Sequence, residues 1–261
     1  MIYSEKQIKD KIKSKKIGKN LIFLKEVDST NSYAKKLATE CEDGTVIVAE
    51  SQTSGRGRLD RKFFSESDKG VYISIILKPE LPIESVNTIT LLSALAVFDA
   101  IKELTGKEVL IKWPNDIYLN EKKLCGILTE SAVIDNKTSF IIVGIGINLN
   151  QNKEDFPKEI SEIATSVFVQ TGVMIKREDY LVALLKNFEK YYKDFPSNKV
   201  EILKKYSENL CYLNEKISVI ELDKSYEATL VGIDENGYLL VRTKDKIKKI
   251  IGGEISVRSM K

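Results

Sequence analysis

The 261-residue sequence predicts an α+β protein, a helix-packed mixed β-sheet followed by a small β-barrel. Three observations carry this. From Ser85 to Leu104, the residues Ile89, Leu92, Ala96, Ala100, Ile101 and Leu104 fall on one helical stripe. Runs such as "TVIVAE" and "GVYISIILKP" have the β-branched, alternating character of strands. From Asn214 onward the chain breaks into short strands separated by turns such as "DENG", with no helical stripe among them. The expected division is therefore residues 1–213 and 214–261.

Taken in order, residues 1–25 hold eight lysines, and Ile8 and Ile12 lie four apart. That spacing predicts a short amphipathic helix with a solvated basic face, running into the apolar "LIFL". In "DSTNSYAKKLATE", Asp28, Ser29 or Thr30 can cap a second helix. The 85–104 helix is closed by Gly106. "EVLIK", "IYL" and "LCGILTES" read as strands, with turns at "WPND" and at residues 120–122. "SFIIVGIGINLN" is a further strand in which Gly144 and Gly146 let something approach the backbone. Helices are expected over Arg177–Tyr192 and Lys199–Leu210. Four strands follow, "KISVIEL", "YEATLVGID", "YLLVRT" and "IKKIIGGEISVRS".

Composition excludes several classes of function. With 41 Lys+Arg against 38 Asp+Glu the net charge is +3, so an anion site must be built locally and duplex nucleic acid is not indicated. Three cysteines without a CxxC pair fit a reducing cytosol. The N-terminus lacks a signal-peptide core and no apolar run approaches the roughly 20 residues needed to cross a bilayer, so a cytoplasmic protein with no membrane partner is expected. There is no histidine, which rules out Ser-His-Asp and Cys-His catalysis and any metal site that needs imidazole. Chemistry must run on Lys, Arg, carboxylates and backbone dipoles.

Two stretches are candidates for it. In "SGRGRLDRKFF", Gly55 and Gly57 let the backbone come close to a ligand, while Arg56 and Arg58 offer planar forks of donors for phosphate or carboxylate. The same composition also suits a mobile surface loop or a nucleic-acid contact. In "IKWPNDIYL", Pro114 fixes a turn that sets Asn115 and Asp116 at the mouth of a strand. A plain hairpin corner with Trp113 as core filler is the alternative. Lys123, seven residues past Asp116, has no meaning by itself.

Together, "DSTN", "SQTSGRGRLDRKF", "KWPND", "KKLCGILTE", "VGIGINLN" and "GGEISVRS" occur in an order and spacing that resemble the biotin protein ligases, from about Val27 to the C-terminus. The combination of GRGR with KWPND is specific to that family. The resemblance implies a biotin/lipoate ligase-like catalytic domain with an SH3-like C-terminal barrel. It also implies ATP-dependent formation of biotinyl-AMP and transfer of biotin to a lysine of a biotin carboxyl carrier protein, with ATP, biotin and Mg²⁺ as the small molecules required. Residue by residue, it places Lys123, Asp116 and Arg58 at the reacting groups. Ser29, Thr30, Asn31, Gln52, Gly55, Arg56, Arg58, Lys123 and Gly126 fall around biotin. Arg58, Arg61, Phe63, Lys112, Trp113, Asn115 and Asn148 fall around the nucleotide, with Arg258 a weaker contact, and no side chain is assigned to a metal. In the family the GRGR segment is a disordered loop that folds over the ligands.

The sequence departs from the family at Asp60, where many relatives have glycine, and at Phe63, where some have Trp. The first puts the loop's backbone beyond Arg58 in doubt; the second conserves an apolar ring. Only 27 residues precede Asp28, too few for the winged helix-turn-helix that some relatives carry, so a monofunctional ligase without specific DNA binding is expected. A homodimer is left open. The rival readings are a lipoate ligase and a biotin sensor or transcriptional regulator.

Overall fold

The computed structural model describes residues 5–12, 14–134, 137–221, 224–244, 246–251 and 255–259. The chain runs α1 (Glu5–Lys11), β1 (Leu21–Val27), α2 (Thr30–Leu37), β2 (Val46–Gln52), β3 (Gly70–Leu77), α3 (Ser85–Thr105), β4 (Leu110–Lys112), β5 (Asp116–Leu119), β6 (Lys122–Ile134) and β7 (Lys137–Asn148). It continues through α4 (Val167–Thr171), α5 (Arg177–Tyr192), α6 (Lys199–Glu208), β8 (Lys216–Glu221), β9 (Lys224–Ile233), β10 (Leu239–Arg242), β11 (Ile247–Ile250) and β12 (Ile255–Ser259).

The first seven strands form one sheet in the order β1-β2-β3-β7-β6-β5-β4. Its β1–β2 pair is parallel, joined by α2 as a crossover, and the other pairs are antiparallel, which makes the sheet mixed. The two faces separate by strand alternation. Odd residues of β7, Ile141, Val143, Ile145 and Ile147, join the main core with α3 and α5. Even residues Phe140 and Ile142 join a smaller cluster under Ala34 and Ala38. β3 is buried along its whole length, as a central strand covered on both faces should be.

The 21-residue α3 is long and apolar enough to cross a bilayer by length and composition, which corrects the sequence reading that no run comes near. It is a core helix: Leu91, Leu92, Leu95 and Phe98 are buried against the sheet and its neighbouring helices. Gly106 ends it at φ 67, its N–H bonding to Lys102 O, and a Cβ there would meet nothing within 4 Å. Only the backbone therefore resists Gly106→Ala, and the variant is expected to lose about 1 kcal/mol in urea denaturation with activity intact.

The C-terminal strands form a second sheet, β11-β10-β9-β8-β12. Two expectations need correction here. "IKKIIGGEISVRS" is two strands, because β11 pairs with β10 while β12 pairs with β8, at opposite ends of the sheet. Among the described residues no pairing joins β11 to β12, so the expected closed barrel is an open five-stranded sheet. The Arg258 side chain lies outside the described residues.

Candidate active site

Glycines make the cavity. On the α2 face of the sheet, Phe140 and Ile142 fill the space beneath the helix, but the next positions on that face of β7 are Gly144 and Gly146, and β6 contributes Gly126 beside them. Past the end of α2 the sheet therefore has a bare floor, above which lies a cavity of about 530 Å³, within the usual range for a small-molecule site. The glycines also admit the chain's own side chains. A Cβ at Gly144 would collide with the Asn31 amide, and one at Gly146 would come within 2.5 Å of the Phe63 ring.

One end of the cavity is neutral and polar. Ser29 takes the N-cap position of α2 in extended backbone with no side-chain cap bond. Thr30 donates to Gln52 Oε1 from its N–H at 2.8 Å and its hydroxyl at 3.1 Å, while Gln52 Nε2 donates to Ser65 Oγ at 2.7 Å. These bonds fix the Gln52 amide and leave acceptor lone pairs on both hydroxyls. Asn31 was expected beside the ligand, and it does line the cavity. Its amide, however, donates to Leu128 O and Glu130 Oε2 and accepts from Ser74 Oγ, so its polar atoms hold the scaffold.

The other end is charged, and a tight hairpin creates it. Asn120 and Glu121 both have positive φ (49 and 63), as a two-residue hairpin turn requires, and they join β5 directly to β6. A register shift between Ile117 and Tyr118 then sets the Lys123 ammonium 2.7 Å from the Asp116 carboxylate across the two strands. Arg58 NH1 donates to Asn115 Oδ1 at 3.2 Å, and Asn115 Nδ2 donates to Ile127 O at 2.7 Å. Burial depresses the Arg58 guanidinium; nearby Asp116 opposes that shift and Arg61 adds to it. Lys112 donates to Tyr118 OH at 3.2 Å, and Tyr118 is raised chiefly by burial and next by Asp116. Among the described residues, Asp116 is the only acidic side chain lining the cavity.

The "SGRGRLDRKFF" segment folds over this cavity as a small hairpin, with Phe63 N bonded to Gly55 O at 2.8 Å and Gly57 N to Arg61 O at 2.7 Å. Its turn puts Leu59 at φ 56, a left-handed conformation that costs a non-glycine residue on the order of 1 kcal/mol. The left-handed residue is Leu59, one before Asp60. Arg56 NH1 reaches Glu130 Oε1 at 3.3 Å. Phe63 lies over Gly126 and Gly146, edge-on to Tyr72.

Of the residues the sequence singled out, Ser29, Thr30, Gln52, Arg56, Arg58, Arg61, Phe63, Lys112, Asn115, Asp116, Lys123 and Gly126 all line one cavity. Gly55 does not: a Cβ on it would collide with Phe63 O, so its glycine serves the hairpin. Trp113 and Asn148 line the cavity, but their polar atoms are used elsewhere, Trp113 Nε1 by Gly237 O and Asn148 Nδ2 by Thr165 O. Sequence reasoning missed Tyr118 and a wall of Ile160, Ile163 and Ala164. That wall is held by Lys123 N donating to Ile163 O at 2.8 Å, a long-range contact with no local signal.

The sequence pattern of the Biotin/lipoate A/B protein ligase family matches residues 23–148, and that of the Biotin protein ligase C terminal domain matches 212–258. The structure is similar to that of "Biotin protein ligase from Aquifex aeolicus in complex with biotin and ATP", with 38% identity, a TM-score of 0.80, and 92% of this chain and 99% of that one covered. The chain belongs to the biotin protein ligase family. Among curated members of the family, it is 36% identical to "Bifunctional ligase/repressor BirA" of Bacillus spizizenii, over 97% of this chain and 79% of that protein. It is 28% identical to "Biotin--[acetyl-CoA-carboxylase] ligase" of Paracoccus denitrificans, over 84% and 93%.

Proposed function

We propose that the chain joins biotin to AMP, using ATP, and then passes biotin to a lysine of a biotin carboxyl carrier protein. One observation carries this reading: the cavity has a neutral polar end at Ser29, Thr30 and Gln52, and an end where Lys123, Asp116 and Arg58 converge within the same enclosure. A ligand with a neutral hydrogen-bonding head and a carboxylate tail spans such a site. The ligase family, and relatives named for biotin rather than lipoate, favour biotin over the lipoate and sensor readings.

In the first step a carboxylate oxygen attacks the α-phosphorus of ATP and pyrophosphate leaves. The carboxylate is already ionised at neutral pH, so no general base is needed, consistent with a chain that has no histidine. The site must align the reactants and offset negative charge, and Lys123 and Arg58 are placed to do so. In the second step a lysine amine attacks the acyl carbon, AMP leaves and the amine nitrogen loses a proton, which Asp116 can accept or direct. A Mg²⁺ would be carried mainly by phosphate oxygens and water, with Asp116, the one carboxylate among the described lining residues, in the same enclosure, and it would supply further charge neutralisation.

The division into residues 1–213 and 214–261 is supported by the second family match starting at 212, and a reducing cytosolic setting by the three free cysteines. Gly146→Ala would push the Phe63 ring off its floor into the cavity, and biotin binding by calorimetry is expected to weaken about 10-fold. The test of the function itself is transfer. Labelled biotin, ATP and Mg²⁺ with a purified carrier domain should label one carrier lysine, and an unlabelled carrier would overturn the reading.

A further inference from the structure

The second sheet reaches the charged end of the cavity through one turn. Between β9 and β10, Asp234 Oδ1 accepts the N–H groups of Asn236 and Tyr238, both at 2.9 Å, and Gly237 sits at φ 76. Gly237 O accepts the buried indole N–H of Trp113 at 3.0 Å. Asn236 O accepts Asn87 Nδ2 of α3 at 2.7 Å, and Lys199 Nζ of α6 reaches Asn236 Oδ1 at 3.3 Å. The turn has no slack, because a Cβ on Gly237 would collide with Leu91 and come within 2.9 Å of Asn87 Nδ2. From the other side, the fully buried Tyr206 donates its hydroxyl to Pro114 O at 3.0 Å.

Apart from the two bonds that Asp234 accepts within the turn itself, these bonds end on the Trp113–Pro114 pair or on the helices that hold the turn. Asn115 and Asp116, which orient Arg58 and Lys123, come next in the chain. Their backbone continues directly from Trp113 and Pro114, so any displacement of the indole is passed to them. We propose that Gly237 and Asn87 are positioning residues for the reaction: the 234–237 turn fixes the Trp113–Pro114 pair, and through it the groups that meet the phosphates of ATP. This rests on the proposed function, in which the charged end takes the nucleotide. A purely structural role, fastening one sheet to the other, would instead affect both substrates and thermal stability alike.

Neither Gly237 nor Asn87 lines the cavity. In the full-length chain, Gly237→Ala is expected to raise KM for ATP in biotin-dependent pyrophosphate exchange about 10-fold, a loss of the size that small misplacements of reacting groups produce. Biotin affinity, measured by calorimetry without ATP, should stay as in the unaltered chain. Asn87→Ala removes one brace of the turn without a steric clash, and should shift the same KM in the same direction by less. It keeps the test decisive if Gly237→Ala fails to fold. An unchanged KM for ATP in Asn87→Ala, or equal weakening of biotin and ATP, would overturn the inference. No exchange in the unaltered chain would remove the proposed function and this inference together.

Discussion

Arg58→Gly is expected to yield a ligase that still makes biotinyl-AMP but loses it on the order of 10² faster, the size of effect seen when one partner of a buried charged contact is cut away. Arg58, an arginine of the 55–63 hairpin, reaches the charged end, where it bonds Asn115 and lies near Asp116. An adenylate would place its phosphate there, so the guanidinium joins the covering hairpin to the intermediate. Without it, Arg56 still ties the hairpin to Glu130, through an ion pair that is half exposed on the arginine side and correspondingly weak. The intermediate is a reactive mixed anhydride that closure protects from water and stray amines. Rapid gel filtration of enzyme loaded with labelled biotin measures retention directly, and bystander proteins should acquire biotin on surface lysines. Retention equal to that of the unaltered chain would contradict the role.

Lys123→Ala should slow adenylate formation by about 10² to 10³, the usual cost of deleting a group that meets charge developing in the transition state. The variant should still fold but be less stable, because Lys123 meets the Asp116 oxygen Oδ1, which is buried and would be left without its partner. The steps separate cleanly. Supplied with preformed biotinyl-AMP, the variant should transfer biotin to a carrier far better than it transfers from biotin and ATP. Equal losses in both assays would show that Lys123 acts in transfer as well.

Much of this site was legible in the sequence, for physical reasons that differ by residue. Gly106, "WPND" and the alternation in β3 and β7 are local signals, set by backbone conformation and side-chain period, and the structure has a helix end, a turn and two strands there. Gly144 and Gly146 were read correctly as places of close approach, but what approaches is Asn31 and Phe63, and a sequence does not say which distant side chain fills a gap. At Gly55 a Cβ would meet Phe63 O, and a glycine needed by a hairpin looks the same in a sequence as one needed by a ligand. The 160–164 wall and the Trp113–Gly237 bond depend on contacts spanning 40 and 124 residues, such as that between Lys123 and Ile163, and no periodicity reports them. The opposite ends to which β11 and β12 pair are tertiary facts of the same kind.

The most direct test of the central claim is exchange of radiolabelled pyrophosphate into ATP by the purified chain, with biotin or lipoate as the acid. The proposed function predicts exchange that requires biotin, is absent with lipoate, and falls by about 10² or more in Lys123→Ala. Exchange driven by lipoate, exchange indifferent to Lys123, or none with biotin would contradict it.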